Sequence, residues 1–171
     1  MKPDFLETQQ LEGVVVRFPT PYPDARGSLV EFFRMDEISA ELSPAMGYLS
    51  TTFPGISRGP HEHREQTDLF FFPGFGTFLV ALWDNRKHLP SFGQRMLIAT
   101  ASDQPCVIII PPGVVHAYHC TSKVPGIVIN VPNQLYAGKN KQSPVDEIRH
   151  EKDAQSPYVI DFTRCIERHA S

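Results

Sequence analysis

Prolines and glycines constrain this chain more than any other feature. Sixteen prolines and eleven glycines fall mostly between short apolar runs, where proline cannot interrupt a ladder and glycine supplies turn geometry. That punctuation suits many short strands. Residues 13–18 form a β-branched run that ends at Pro19-Thr20-Pro21-Tyr22-Pro23, where each proline removes a backbone donor. Asp24-Ala25-Arg26-Gly27 then turns into a second strand over residues 28–34. Residues 35–42 are expected to form a short helix ended by Pro44, and residues 46–53 another strand, stopped by Pro54-Gly55. Residues 69–72 and 77–83 are apolar on both faces, as strands packed between layers are. Residues 95–100, 106–110, 114–120 and 126–131 continue the series at the short, regular spacing of an all-β sandwich or barrel. The count fits a double-sheet jelly roll. After Pro132 the chain turns polar, and near the end residues 163–169 read as helical.

At 171 residues the length prior gives one domain over residues 1–171, large enough to bury a core without disulfide or metal staples. The formal charge of −3 gives no basic field for nucleic acid, and the cations form no stripe or tail. Cys106, Cys120 and Cys165 are odd in number and lack Cys-x-x-Cys spacing, which argues against a disulfide framework or a cysteine zinc site. A reducing cytoplasm is the expected compartment. Met1-Lys2-Pro3-Asp4-Phe5 lacks the apolar core of a signal peptide, and no apolar run approaches the ~20 residues of a membrane helix.

The chemistry concentrates in Arg58-Gly59-Pro60-His61-Glu62-His63 and Pro112-Gly113-Val114-Val115-His116-Ala117-Tyr118. On an extended strand residues two apart share a face, so His61 and His63 are expected to project into one space. A second strand carrying His116 brings a third imidazole to it. Three histidines facing one cavity make a candidate site.

With both halves in hand, the chain resembles the cupin superfamily, and within it the dTDP-4-dehydrorhamnose 3,5-epimerase family. Asp24-Ala25-Arg26-Gly27-Ser28-Leu29-Val30-Glu31 looks like that family's Asp-x-Arg-Gly-x-Phe-x-Glu, and Arg58-Gly59-Pro60-His61 like its Arg-Gly-Leu-His. Ser91-Phe92-Gly93-Gln94 resembles a family Phe-Gly segment, and Pro112-Gly113-Val114-Val115-His116-Ala117 its Glu-Gly-Phe-x-His-Gly. The resemblance implies a cupin double-stranded β-helix, a jelly-roll barrel with short peripheral helices, assembled as a homodimer. It implies proton abstraction beside the ketone of a dTDP-4-keto-6-deoxy sugar, with no cofactor required. His61 falls at the base position and His116 lines the cavity. Arg58 is placed to meet the diphosphate through its bidentate guanidinium, and Arg26 and Glu31 to hold the nucleotide.

Departures from the family pattern lead elsewhere. Asp68 stands where the family has a lysine that steadies the oxyanion, and Asn130 where it has a tyrosine on the opposite face. Tyr118, two residues after His116 and on the same face of its strand, is a candidate substitute for that tyrosine, with packing in the core as its other reading. Arg-Gly-x-His-x-His, ending in His63, also resembles nucleotide-sugar 3,4-ketoisomerases. Many cupins instead bind a divalent metal through His-x-His, a carboxylate and a late histidine, here His61, His63, Glu65 or Asp68, and His116. A non-catalytic sugar-binding cupin is the third reading. Lys152 falls where the family's orienting aspartate is expected, leaving Glu151, Asp153 and Asp84 as candidate partners of His61.

Overall fold

The computed structural model describes residues 5–8, 10–159 and 162, and its regular structure is nearly all strand. In chain order the strands are β1 (Phe5–Thr8), β2 (Val15–Arg17), β3 (Tyr22–Asp24), β4 (Gly27–Leu29), β5 (Tyr48–Thr52), β6 (Ser57–Glu62) and β7 (Asp68–Phe72). There follow β8 (Phe78–Asp84), β9 (Arg95–Ala99), β10 (Cys106–Ile110), β11 (Val114–Cys120), β12 (Gly126–Asn130) and β13 (Ile148–Arg149). One sheet runs β1-β9-β8-β11-β6-β13 and a second β2-β10-β7-β12-β5, while β3 and β4 form a separate hairpin. The two large sheets face each other as a jelly roll. Phe70, Phe72 and Ile108 from one meet Phe78, Leu82, Ile98 and Tyr118 from the other in a shared core. Cys106 and Cys120 are free and buried in it, and burial pushes the Cys106 thiol up to about 12.

The apolar runs on both faces are explained by cover on the outside. Leu69, Phe71, Val107 and Ile109 turn outward from the second sheet and lie under Val30, Phe32, Phe33 and Leu42. Phe32 stacks on Phe71 with ring centroids 4.6 Å apart. The strand expected over residues 28–34 is therefore only β4, and beyond Leu29 the chain lies flat on a sheet face instead of joining a ladder. Its alternation reports contact with an apolar surface, which strand pairing and cover produce alike.

The short peripheral helices reduce, over residues 10–159, to single 3-10 turns at Ala40–Leu42, Lys139–Lys141 and His150–Lys152. Glu37 and Ile38 N–H both donate to the Arg34 carbonyl in a single turn, and Ser39 makes no side-chain capping bond to the 3-10 turn that follows, so residues 35–42 do not run on as one helix. The helix expected over residues 163–169 lies outside the described residues. No described helix is long and apolar enough to cross a membrane.

One irregularity sets up the site. Along β6 and β11, His61 pairs with His116 but Arg58 pairs with Tyr118, so β6 carries one extra residue between the two pairs. Gly59 lies in that bulge at φ +80°, and a Cβ there would come within 2.5 Å of the His116 carbonyl oxygen. Pro60 lacks the donor that a regular ladder would use. The bulge lets Arg58 and His61, three residues apart, open onto the same cavity.

Candidate active site

Strand parity brings most of the site together. On β7 Asp68 shares a face with the core residues Phe70 and Phe72, and on β11 His116 shares one with Val114 and Tyr118. His61 enters from β6. His63 does not belong to that strand, which ends at Glu62; a turn carries its ring back into the cluster. Asp146 builds the turn, its carboxylate accepting the backbone N–H groups of Arg64, Glu65 and Gln66 at 2.9, 2.8 and 3.0 Å. The same residue's carbonyl accepts a hydrogen bond from His63 Nδ1. The three histidines offer nitrogen atoms that all lie within 4.8 Å of one another.

Asp68 sits at the centre, buried on all sides. Its Oδ1 accepts from Gln66 Nε2 and Asn130 Nδ2, each at 2.8 Å. Its Oδ2 lies 3.2 Å from His63 Nε2 and 3.3 Å from His116 Nε2. Both rings have Nδ1 on a backbone carbonyl, Asp146 for His63 and Val114, at 3.0 Å, for His116. A carbonyl only accepts, so both Nδ1 atoms carry hydrogen. His116 Nε2 then turns its lone pair towards a carboxylate oxygen, and so does His63 Nε2, which also has Gln66 Nε2 at 3.2 Å, unless a cation, a proton or a metal, stands between. Neither His116 Nε2 nor Asp68 Oδ2 has a hydrogen-bond partner of good geometry.

The charges follow from this packing. Burial pulls His63 down, but the bond to Asp68, the Asp68 charge and Asp146 outweigh it and raise the imidazole above its ordinary value. Burial would raise Asp68, yet His116 and His63 hold it well below the carboxylate range. His61 goes the other way. Burial first, then the neighbouring His116 and His63, lower it to about 2, so its ring is neutral. Its nearest carboxylate is Glu147, with Oε1 3.9 Å from His61 Nε2, itself held by Arg149 at 2.7 Å. Glu147 opens the stretch Glu147-Ile148-Arg149-His150-Glu151, which resembles the family segment before its orienting aspartate, but is not among the expected partners of His61. Of the partners expected for His61, Asp84 is committed to Arg86 and Ser91, Asp153 accepts from the Gln155 N–H, and Glu151 lies on the cavity wall.

Two hollows with a shared wall open onto His61. One, of about 480 Å³, is lined by His63, Glu65, Gln66, Tyr136 and Asp146. The other, of about 460 Å³, is lined by Ser50, Arg58, Phe70 and Tyr118. Tyr48, His61, Glu147 and Arg149 belong to both walls. Arg58 is braced by Nε to Thr52 Oγ1 at 3.0 Å and Nη2 to the Thr51 carbonyl at 2.9 Å. Tyr118 Oη lies 3.1 Å from Ser50 Oγ. Asn130 is fully buried behind the wall. Arg26 and Glu31 line neither hollow: Arg26 is 90% exposed and paired with Asp24 at 2.6 Å in the β3–β4 turn, and Glu31 lies beside Phe32 and Val107 on the outer face of the second sheet.

The fold is a jelly-roll barrel of the cupin type, and its hollows are walled by a neutral buried imidazole, a nearby carboxylate and an arginine. Residues 8–147 match the dTDP-4-dehydrorhamnose 3,5-epimerase family, and the chain belongs to that family of nucleotide-sugar epimerases. It is 35% identical over 127 residues to a probable low-salt glycan biosynthesis epimerase, Agl13, of Haloferax volcanii, covering 74% of this chain and 81% of the relative. It is 31% identical over 126 residues to the spore coat polysaccharide biosynthesis protein SpsL of Bacillus subtilis, covering 74% and 82%. Its fold matches a dTDP sugar isomerase from Desulfovibrio desulfuricans G20 with TM-score 0.71 at 24% identity, over 86% of this chain and 90% of the other.

The opposed shifts give a direct expectation. In chelator-treated protein, imidazole nitrogen NMR between about pH 8 and about pH 4 should show His61 neutral throughout, while His63 loses its proton only above the ordinary histidine value of about 6.5. A His61 signal titrating near 6.5 would contradict the charge arrangement described here.

Proposed function

We propose that the protein acts on a dTDP-4-keto-6-deoxy sugar by removing a proton from carbon beside the ketone, with His61 as the base. The observation that carries this reading is His61 itself, a neutral imidazole on the wall of both hollows, with Glu147 placed to steady the imidazolium that proton uptake creates. The enolate oxygen needs positive charge where the family has a lysine. His63, whose imidazole Asp68 and Asp146 raise above its ordinary value, is the residue of the cavity suited to that charge. Arg58, braced on β5, meets the diphosphate. His116 completes the wall and Tyr118 shapes the second hollow. The reaction so described is an exchange of protons and draws on no cofactor.

Arg26 and Glu31 belong, on this reading, to the nucleotide site of a second copy. Their distance from the histidines in their own chain supports it, as does the β3–β4 hairpin, which joins neither large sheet and leaves Tyr22 and Leu29 64% and 65% exposed. A two-stranded hairpin alone is marginal in water; an adjoining subunit would cover it. The protein is accordingly a homodimer, and light scattering should return twice the chain mass.

A second reading is favoured by the converging lone pairs. His63 Nε2, His116 Nε2 and Asp68 Oδ2, with His61, form a nitrogen and oxygen donor set that suits zinc, iron, nickel or manganese. Separations of 3.2 and 3.3 Å match ligands about 3.0–3.4 Å apart around a metal with bonds near 2.1 Å. The Nδ1 bonds to backbone carbonyls orient the rings as ligating histidines usually are. Such an ion would polarise a substrate carbonyl as a Lewis acid. The two readings compete for the same lone pair on His61.

Heavy water separates them. With dTDP-4-keto-6-deoxyglucose, the wild type should place deuterium at the carbons flanking the ketone, and His61→Asn should lower the rate at least about a hundredfold, the usual minimum for a general base. Undiminished incorporation would remove His61 from that role. Elemental analysis tests the metal: a bound ion should be lost in His63→Ala, and equal content in variant and wild type would refute the ligand set.

A further inference from the structure

We propose that Tyr48 is the proton donor on the substrate face opposite His61, a role that rests on the epimerase reading above. Tyr48 lies on β5, in the five-stranded sheet, and His61 on β6, in the six-stranded one. Both line both hollows. A carbon seated between the sheets therefore meets imidazole from one wall and phenol from the other.

The hydrogen bonding leaves the phenol proton free. Asn130 pairs with Tyr48 across the β5–β12 ladder, and its Nδ2 donates to Asp68 Oδ1 at 2.8 Å and to Tyr48 Oη at 2.9 Å. Asp68 Oδ1 also accepts from Gln66 Nε2 and so meets Asn130 as an acceptor, which fixes the amide orientation and uses both hydrogens of Nδ2. Tyr48 Oη thus receives a hydrogen bond, and its own hydrogen has no acceptor among the described residues. Tyr48 is 44% exposed and lines both hollows. Burial of the hydroxyl raises it above the ordinary tyrosine value, so it remains a phenol. Asn130, fully buried, has no proton to give. Tyr118 is engaged with Ser50 and packed among Phe70, Phe72 and Phe78.

The step balances. His61 takes the proton from carbon, and the C–H electron pair becomes the enolate. When the ketone re-forms, the same carbon takes the Tyr48 proton on its other face. The phenolate is held by the Asn130 N–H until solvent reprotonates it, and His61 returns its proton to solvent. One centre is inverted and no atom is gained or lost.

The test compares wild type with Tyr48→Phe on dTDP-4-keto-6-deoxyglucose in heavy water, following deuterium and inverted product by NMR. Deuterium uptake should persist within a few-fold, because His61 still removes and returns the proton on its own face, while inverted product falls at least about a hundredfold. Inversion at the wild-type rate in Tyr48→Phe would overturn the proposal and leave His61 as base. Joint loss of exchange and inversion would also overturn it, assigning Tyr48 to substrate binding. No exchange by the wild type itself would overturn the epimerase reading and this role with it.

Discussion

The site depends on one buried carboxylate. Asp68 sits at the start of β7, inside the barrel, with Gln66 and Asn130 on one oxygen and His63 and His116 facing the other. An isolated ionised carboxylate in such a place would cost several kcal/mol or protonate. Here it is held ionised by the groups around it, and in return it orients them. It draws positive charge to His63, fixes the Asn130 amide and, through that amide, hands a hydrogen bond to Tyr48.

Much of the fold was legible because proline, glycine and apolar runs act locally. The strands from β7 to β12 lie within a residue or so of where the pattern placed them. The failures share a cause. Residues 30–34 and 35–42 carry strand-like and helix-like patterns, yet they serve as cover for Phe71 and Val107, and a covering segment needs apolar contacts rather than a continuous ladder or helix. The β3–β4 hairpin escaped because Pro21 and Pro23 read as breakers, although proline is tolerated where one side of a strand stays unpaired.

The histidine cluster was legible, but for a reason only partly correct. His61 and His63 meet although His63 lies beyond the strand, because Asp146, more than eighty residues away in sequence, accepts three backbone N–H groups and holds the turn. Glu147 and Tyr48 were not visible for a related reason. Their proximity to His61 comes from pairing of β13 with β6 and from the facing of two sheets, neither of which leaves a spacing in the sequence. Arg58 was found as a motif member, yet simple alternation would turn it away from His61; the Gly59–Pro60 bulge reverses that.

The bulge and the strand end also couple the barrel's interior to its exterior. His61 faces inward, and Glu62, the next residue, faces outward, where His150 Nε2 and Asn85 Nδ2 each lie 2.9 Å from Glu62 Oε1. His150 rests edge-on against Tyr158, which packs on Trp83. His61 is thus one peptide bond from an anchor that includes His150 and Tyr158. Directed evolution of this scaffold should find activity-altering substitutions in that outer anchor, remote from any substrate, because the stiffness of a single backbone link sets how firmly the imidazole is aimed.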